Sequence, residues 1–513
     1  MSETPRVYSR DLFRTTRRVN SFWKRLLGFI VVLFLVFLGW VFWISEDSHQ
    51  VQEFLPATAN FQIFSPNIMQ NYEMLVNSPI WNFLDENPEI NEVRKILAGE
   101  RGIPVWVIKH LICDFLFFSA EDFSNANSYL VIIKLSRLGC VLENLYSVFG
   151  DVEYDWAGGI GLYHSKPLGI CHTRKGRIVI LSPSRDQVIK AVTKTPNEKS
   201  PLPKQVGDSR SYEGLIAHGK WKPSFSIKGI EIPDSSFSLS LSSSEITLNA
   251  ELKLNYDADE PWIALLSELT SGPLKDDSSD AMLFLTTYTN IPISTWLNAM
   301  EAPVATLEIQ SPSQQINTDL PNLLKSTFRL FQNSFFIKVD TFYFDEIIPF
   351  IPRVAIGGKI SPNEWNKYLE RILNTPVMFL GEPQKFRPGK ESGEYVLSLL
   401  GSGQTDFIFS VNKEDFVITN APEFKKWAFQ QLEDNTSTIQ GNVLLKVKPS
   451  KFAENILKGI EPLLVSKVIQ IKDEHKFNNF MNKLKLIEAI TATASFQHDM
   501  CKLNAKIKLS PLQ

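Results

Sequence analysis

The chain has 513 residues, of which 44% are hydrophobic and 21% are charged, and its formal net charge is −3 at pH 7. This composition excludes a wholly disordered chain, because it contains enough apolar side chains to fill substantial cores. The slightly acidic balance argues against a nucleic-acid-binding protein. Four cysteines in so long a chain exclude a disulfide-rich scaffold.

Residues 26–44 form an apolar segment that contains no charged residue. As an α-helix this segment would be roughly 28 Å long, close to the ~30 Å hydrocarbon thickness of a bilayer. Residues 1–25 form a predominantly basic tail, whereas Glu46, Asp47 and Glu53 follow the segment. By the positive-inside rule, we expect a single-pass protein of the bacterial inner membrane, with a cytoplasmic N-terminus and a periplasmic ectodomain from residue 45 onward. Its first partner is then the lipid bilayer, contacted through 26–44.

A cleaved signal peptide is the alternative interpretation of the same segment, since it also has a basic region followed by an apolar one. The apolar region of a signal peptide is about 7–15 residues long and ends in small residues. Here the apolar segment is longer and ends in Trp43-Ile44-Ser45-Glu46. These two features favour an uncleaved membrane anchor.

After the anchor, the sequence predicts two folded regions of similar length. Residues 45–59 have the composition of a linker, and a second polar linker is predicted at 257–280. These linkers delimit a first lobe at 60–256 and a second lobe at 281–513. The two lobes together provide the length expected for two or three domains.

The two lobes contain similar segments in the same order, which indicates an internal duplication. The closest match is between LNAELKL at 248–254 and LNAKIKL at 503–509. Any two amphipathic strands resemble each other, so the shared order of the pairs carries the argument. The other matched pairs are 61–64 with 283–286, 129–135 with 354–360, 177–180 with 415–418, and 222–224 with 448–450.

The predicted fold class is α+β. Apolar and polar residues alternate at 237–241, the pattern of an antiparallel strand with one solvated face. Segments 68–84 and 477–491 have one apolar face at helical spacing. We therefore expect a single N-terminal transmembrane helix followed by two similar lobes, each an antiparallel sheet with helices on one side.

The short basic tail, the single anchor and the repeated units of strand, turn and helix define a recognisable pattern. Its turns are Ser-Pro-Ser at 182–184 and Asn-Ala-Pro at 420–422, and Leu55-Pro56-Ala57 leads into the first strand at 61–64. In this pattern the chain resembles bacterial membrane-anchored envelope proteins of uncharacterised families. The resemblance implies a fold type and a compartment, and it transfers no catalytic residue.

The motifs of common enzymes are missing, so we predict no catalytic residue and no cofactor. The sequence contains no His-Glu-x-x-His, Gly-x-Ser-x-Gly or phosphate-binding loop. One acidic row deserves comparison with a metal site: Asp151, Glu153 and Asp155 would point to the same side of a strand, as in a Ca²⁺ site. A solvated acidic turn explains the same row more simply, because the second lobe has no matching trio.

Other polar residues admit two interpretations each. His164, Cys171 and His172 resemble a metal-ligand set, but neighbouring strand residues such as Cys171 and His172 point to opposite faces. The glycines at 158–161 suit a bulged or closely packed strand better than a dinucleotide site. The basic segment 174–177 is expected at a hairpin tip, where it either contacts lipid headgroups or a partner or has no function.

The cysteines and phenylalanines also leave alternatives open. Cys140 and Cys171 are the closest pair in sequence and thus the first candidates for a disulfide, unless all four cysteines, including Cys113 and Cys501, are small buried side chains. The phenylalanines either line an apolar groove or belong to the core. The core is the simpler explanation for their concentrations at 115–118 and 335–344.

The leading functional hypothesis is a non-enzymatic, membrane-anchored periplasmic protein that binds or scaffolds another envelope protein. One alternative is a carrier or sensor of a lipid or another hydrophobic ligand between the two lobes. A second alternative is a hydrolase whose site is assembled from residues distant in sequence.

Overall fold

The computed structural model is described for the larger part of the chain. The described residues are 10–49, 53–54, 61–66, 71, 79, 112–120, 126–166, 169–193, 215–221, 225–227, 230–232, 235–242, 244–256, 261–277, 280–304, 320–343, 351–379, 382–399, 406–433, 439–465, 471 and 473–510.

The chain forms two compact units. The first contains residues 1–71 and 92–212, and the second contains residues 72–91 and 213–513. The strands between 215 and 256 belong to the second unit, although the sequence suggested placing them in the first lobe.

The first unit begins with a long helix, α1 (Arg10–Ile44). Among the described residues of this unit, one sheet follows, with two further helices, α2 (Arg137–Phe149) and α3 (Arg185–Thr193). The strands are β1 (Phe61–Pro66), β2 (Ile112–Ala120), β3 (Tyr129–Leu135), β4 (Val152–Ala157), β5 (Ile160–Ser165), β6 (Ile170–Lys175) and β7 (Ile178–Ser182). They are antiparallel in the order β1-β2-β3-β7-β6-β5-β4.

The second unit contains the remaining described strands. They are β8 (Leu215–Trp221), β9 (Phe225–Ile227), β10 (Ile230–Ile232), β11 (Ser235–Leu241), β12 (Glu245–Lys253), β13 (Asn255–Tyr256), β14 (Gly272–Leu274), β15 (Leu283–Tyr288), β16 (Phe331–Tyr343), β17 (Ile351–Ile360), β18 (Val377–Phe379), β19 (Glu382–Gln384), β20 (Phe386–Pro388), β21 (Glu394–Ser398), β22 (Asp406–Asn412), β23 (Asp415–Thr419), β24 (Ile439–Gly441), β25 (Val443–Val447), β26 (Ile487–Gln497) and β27 (Met500–Leu509).

The helices of the second unit connect these strands. They are α4 (Pro261–Ser267), α5 (Ile293–Val304), α6 (Leu320–Phe328), α7 (Pro362–Asn374), α8 (Pro422–Glu433), α9 (Pro449–Val465) and α10 (Glu474–Lys485).

The main sheet of the second unit is antiparallel throughout. Its order is β8-β11-β12-β27-β26-β25-β15-β16-β17-β23-β22-β21-β20. Three small sheets, β13-β10-β9, β14-β24 and β18-β19, lie outside it. The predicted α+β class, with one N-terminal apolar helix and antiparallel sheets, is confirmed.

Helices pack on both faces of each sheet, so the prediction of helices on one side is wrong. In the first unit, Cys140 of α2 packs with Val179, whereas Val188 of α3 packs with Ile178 and Ile180. Because neighbouring residues of a strand point to opposite faces, the two helices cover opposite faces of β7.

The second unit repeats this arrangement. Trp365 and Tyr368 of α7 pack with Phe416, whereas Ala428 of α8 packs with the adjacent Val417. Here too, one helix covers each face of the sheet at β23.

Two predicted element boundaries also differ from the structure. The helix predicted at 477–491 ends at Lys485, and β26 begins at Ile487, because the β-branched and alanine residues that follow pair with β25 and β27. The segment 257–280, expected to be a linker, contains α4 and β14. The helix predicted at 68–84 lies largely outside the described residues.

Candidate functional site

The C-terminal end of α1 is attached to the first unit by a group of charged side chains. Arg174 lies on β6, and its Nη1 donates to the backbone oxygen of Ile44 at 2.6 Å and to that of Gly176 at 2.7 Å. The last carbonyl groups of a helix lack partners within the helix and carry the negative end of its dipole. A guanidinium at this position therefore satisfies an acceptor and interacts favourably with the dipole.

The other side of the guanidinium contacts a buried carboxylate. Arg174 Nε donates to Glu143 Oε2 at 2.5 Å, and His172 Nε2 lies 3.4 Å from Glu143 Oε1. Glu143 comes from α2, whereas His172 and Arg174 both lie on the face of β6 that this helix covers. We call Glu143, His172, Arg174 and the Ile44 carbonyl group the anchor clamp.

The electrostatics of the clamp favour an ionised Glu143. Burial alone would raise the pKa of this carboxyl group. The hydrogen bond with His172 and the charge of Arg174 outweigh burial, so the pKa of Glu143 lies below its ordinary value. The clamp is thus a charge-assisted arrangement that is complete at neutral pH.

A second set of charges holds the residues just after α1. Asp47 Oδ2 lies 2.9 Å from Lys134 Nζ on β3 and 3.5 Å from Arg177 Nη1 at the start of β7. Directly after α1, Ser45 Oγ donates to the backbone oxygen of Val41 at 2.6 Å. The predicted linker at 45–59 is therefore attached to the sheet at its first residues.

Gly176 has the conformation that brings this hairpin close to the chain after α1. It forms the turn between β6 and β7 with φ +56°, and a Cβ atom added there would lie 2.4 Å from the Glu46 backbone oxygen. Only glycine fits both requirements. The prediction that 174–177 form a hairpin tip is confirmed, and two of its arginines, Arg174 and Arg177, contact the chain at the end of α1.

Positions of the second unit that match the clamp residues in strand order and register have no such charges. In each unit a hydroxyl group on one strand donates to a backbone oxygen of the neighbouring strand. Ser182 Oγ donates to the Tyr129 oxygen at 2.6 Å, and Thr419 Oγ1 donates to the Val354 oxygen at 2.7 Å. The two units can be aligned on these hydrogen bonds and on the serines that precede α2 and α7. In this alignment, the clamp residues correspond to apolar and aromatic core residues of the second unit. The equivalents of Glu143, His172 and Arg174 are Tyr368, Phe409 and Val411.

The predicted acidic row is engaged in ion pairs. Glu153 and Asp155 point to the same side of β4, where Glu153 Oε1 lies 2.6 Å from Lys166 Nζ and Asp155 Oδ2 lies 2.6 Å from Arg185 Nη2. The hydrogen bond from Lys166 lowers the pKa of Glu153. Asp151 lies in the turn before β4. Among the described residues, no group of three or more His, Cys, Asp or Glu side chains is arranged to hold a metal ion.

His164 and Cys171 meet on that same face. His164 Nδ1 lies 3.2 Å from Cys171 Sγ, beside a surface cavity of about 730 Å³ that Glu153, Asp155 and Arg185 also line. Burial raises the pKa of the Cys171 thiol. His172 faces the other way, towards Glu143 and the ring of Tyr163, as the alternation of strand residues predicted.

The candidate disulfide between Cys140 and Cys171 is not formed, and the alternative of small buried side chains holds for the three cysteines whose side chains are described. Cys140, Cys171 and Cys501 are buried free thiols, and Cys140 and Cys171 belong to clusters on opposite faces of the sheet. Burial raises the pKa of Cys501 to about 11. The side chain of Cys113 lies outside the described residues.

Two further predictions concern glycine and phenylalanine. Gly158 and Gly159 form the two-residue turn between β4 and β5, with φ +62° and +78°, and not a bulge. Phe335, Phe336 and Phe342 belong to core clusters, which confirms the core explanation for those three.

One buried ion pair lies in the second unit. Lys338 Nζ is 3.6 Å from Asp277 Oδ2 and 3.8 Å from the centre of the Trp427 ring. Burial lowers the pKa of Lys338, and the nearby Asp277 opposes that effect. Because both side chains are almost fully buried, the pair acts within the fold and holds the segment before β15 against the sheet.

The second unit also carries an incompletely covered apolar sheet face. On β12 and β27, Ile246 is opposite Ile507, Leu248 is opposite Ala505 and Ala250 is opposite Leu503. Leu248 is exposed and the other five are half-buried. The opposite face of these strands carries Thr247, Asn249, Glu251, Lys502, Asn504 and Lys506.

One exposed feature of the first unit is the edge strand β4. Its described partner is β5, and no described strand pairs with its other edge. Tyr154 and Trp156, on the face opposite Glu153 and Asp155, are 57% and 64% exposed. Large aromatic side chains at such a position are uncommon on a soluble surface.

Comparisons with known proteins identify no family for this chain. No protein-family model and no curated protein matches it. Among solved structures, crystal form I of TP0453 is 10% identical, with a TM-score of 0.28 over 44% of this chain and 86% of that chain. Crystal form III of TP0453 is 9% identical, with a TM-score of 0.28 over 45% of this chain and 91% of that chain. At these TM-scores the similarity supports no conclusion about fold or function.

Proposed function

We propose that this chain is a non-enzymatic, membrane-anchored ectodomain that binds another protein of the bacterial envelope. Trp23–Ile44, within α1, is the one described segment long and apolar enough to cross a membrane, by the same measure that also fits a signal sequence. The anchor clamp favours retention of this helix, because Arg174 uses the Ile44 carbonyl group as a partner. The charges on either side of the helix favour a cytoplasmic N-terminus and a periplasmic ectodomain.

The observation that carries partner binding is the edge of β4. An open strand edge presents backbone N–H and C=O groups that an extended segment of another protein can pair with. Tyr154 and Trp156 stand beside these groups, and exposed Tyr and Trp side chains supply much of the energy of protein interfaces. The partner segment is thus expected to add as a strand and to cover both rings.

The way in which the described polar groups are used supports a non-enzymatic role. Glu143 faces Arg174, Glu153 faces Lys166 and Asp155 faces Arg185, so these carboxylates are engaged in ion pairs. In the described part of the chain, the one histidine–cysteine contact involves a thiol whose pKa is raised, which disfavours a nucleophilic thiolate.

The test is quantitative affinity purification of the detergent-solubilised full chain from envelope membranes. We expect one envelope protein to be enriched with the wild type and lost with Trp156→Ser and Tyr154→Ser. Phe480→Ser is the matched control, because Phe480 is a similarly exposed aromatic residue on α10. Enrichment of no envelope protein, or equal enrichment with the Trp156 and Phe480 variants, would contradict the proposal.

We also propose that the two halves of the ectodomain arose by duplication. The orders β1-β2-β3-β7-β6-β5-β4 and β15-β16-β17-β23-β22-β21-β20 support it, with helices inserted at the same places. The LNA segments support it as well, because they pair with each other and Asn249 stands opposite Asn504. An experimental structure tests this proposal. We expect the two sets of strands to superpose in this order. Different connections between the strands in the two sets would contradict the proposal.

A second candidate function is binding of a lipid or another hydrophobic ligand on the apolar face of β12 and β27. Ala250 stands opposite Leu503 and Ala505 stands opposite Leu248, so each large apolar side chain faces a small one across the two strands. Native mass spectrometry of the full chain is expected to show a co-purified lipid that Ala505→Trp removes. Asn504→Trp on the opposite face is the control, and a wild-type protein without bound lipid would contradict this function.

A further inference from the structure

Helix α2 presents an apolar face to its surroundings. Val148 and Phe149 are 72% and 81% exposed, and Leu138 and Leu145 are exposed as well. Leu138, Leu142, Leu145 and Phe149 recur at helical spacing, so they form one stripe along the helix. We call these four residues the outer stripe; only Leu142 among them is half-buried.

This stripe inverts the usual pattern of a surface helix, whose apolar residues face the core and whose charged residues face water. The buried residues of α2 are the small or medium-sized Gly139, Cys140 and Val141, and Glu143 enters the anchor clamp, whereas its larger apolar side chains are exposed or half-buried. A contiguous exposed apolar stripe of this kind marks a surface that is covered in the working protein.

Helix α7 of the second unit provides an internal control. It occupies the same place between strands, yet the residues equivalent to the outer stripe are all polar or charged. Counted from the serine before each helix, these equivalents are Asn363, Lys367, Glu370 and Asn374. The fold at this place therefore does not require an apolar outer face, and the stripe is specific to the unit that carries the anchor.

The position of α2 indicates what covers the stripe. The guanidinium of Arg137, at the start of α2, lies 4.2 Å from the centre of the Phe42 ring. Phe42 belongs to the segment Trp23–Ile44 that is apolar enough to span a membrane. Glu143, two turns along α2, is fixed to the end of that segment through Arg174. The outer stripe thus begins where the membrane span ends.

We propose that α2 lies in the headgroup layer of the bilayer beside the anchor, with the outer stripe directed into the boundary of the acyl chains. Helices with one apolar face bind membranes in this way, and their apolar side chains enter the headgroup and acyl boundary by about 5–10 Å. Arg137 at the start of the helix is placed to meet lipid phosphates while it contacts Phe42. The anchor supplies the proximity, so no second membrane signal is needed.

The experiment uses the full chain in vesicles of phosphatidylethanolamine and phosphatidylglycerol. Cys113 is replaced by Ser, and a nitroxide label is attached at Phe149→Cys or, in a second variant, Leu145→Cys. The buried thiols Cys140, Cys171 and Cys501 are not expected to react in the folded protein. Power saturation then compares the accessibility of each label to oxygen, which dissolves in lipid, and to a water-soluble nickel chelate.

We expect labels at both positions of the stripe to be accessible to oxygen and protected from the chelate. Asn374→Cys on α7 is the matched control and is expected to show the reverse. Accessibility of the stripe labels to the chelate, equal to that of the Asn374 label, would overturn the proposal. Protection from both reagents would also overturn it, because it would mean that protein covers the stripe. Neither result depends on the edge of β4, so partner binding is tested separately.

Discussion

Arg174→Ala is expected to destabilise the first unit more than any surface substitution would. The change removes the hydrogen bonds to Ile44 and Gly176 and the contact with Glu143, whose side chain is largely buried. Loss of one partner from a buried ion pair costs about 3–5 kcal/mol, because the remaining charge is left without compensation. Arg174 is itself largely buried, so solvent screening reduces this figure little.

Hydrogen exchange measured by mass spectrometry is the appropriate assay, because it reports on the first unit separately in a chain of two units. Faster exchange is expected in α2, in β6 and at the end of α1, with no change in α7. The double variant Glu143→Leu/Arg174→Leu is expected to lose less stability than Arg174→Ala, since it replaces both charges of the pair by apolar side chains and leaves no buried charge without a partner. A loss of unfolding free energy below about 1 kcal/mol for Arg174→Ala lies in the range of an exposed ion pair and would show that the pair with Glu143 does not act as a buried one.

Four further predictions concern other sites. The pKa of Glu143 is lowered in the folded state, so its contribution to stability is present above its ordinary pKa and is lost as the pH falls through the lowered value. Glu143→Gln should therefore flatten the decrease in the free energy of unfolding on the acid side, measured by urea titrations. Gly176→Ala should cost about 1–3 kcal/mol in thermal unfolding, because alanine is strained at φ +56°, and an unchanged Tm would contradict this. Lys338→Ala should cost about 3–5 kcal/mol by removing the buried ammonium that Asp277 faces, and a neutral effect in denaturant unfolding would argue against the pair. In a Cys113→Ser background, thiol reagents should react with the protein only after unfolding, since the pKa of Cys501 is raised to about 11; rapid reaction in the native state would show that the thiols are accessible.

The elements that local pattern determines were predictable from the sequence. The apolar segment and the hairpin at Gly176 are found where residue type and spacing indicated, and helices α3 and α8 follow the predicted turns at 182–184 and 420–422. These features depend on contacts close in sequence, so a short window contains the necessary signal.

The placement of helices on both faces of each sheet was missed, although a signal was present. Segments 129–135 and 178–181 consist largely of consecutive apolar residues, the pattern of strands that are buried on both sides. The alternation at 237–241 indicated a sheet with one solvated face, but this segment belongs to a part of the sheet that differs from the rest in having one polar face.

The anchor clamp was not predictable, because it joins residues far apart in the chain. Glu143 and Arg174 lie 31 positions apart, and Arg174 and Ile44 lie 130 positions apart. The sequence indicates a basic hairpin tip at 174–177, but the contacts that its arginines make depend on the tertiary fold. The inverted polarity of α2 was legible in principle, since Glu143 is its one acidic residue and lies between leucines.

We expect α1 to remain in the mature protein as an anchor attached to the first unit. The most direct measurement is intact-mass spectrometry of the full chain after expression in bacterial cells and extraction from carbonate-washed membranes. If α1 is retained, the membrane fraction contains a chain with the mass of all 513 residues. A chain shortened near Ile44 and released into the soluble fraction would contradict it.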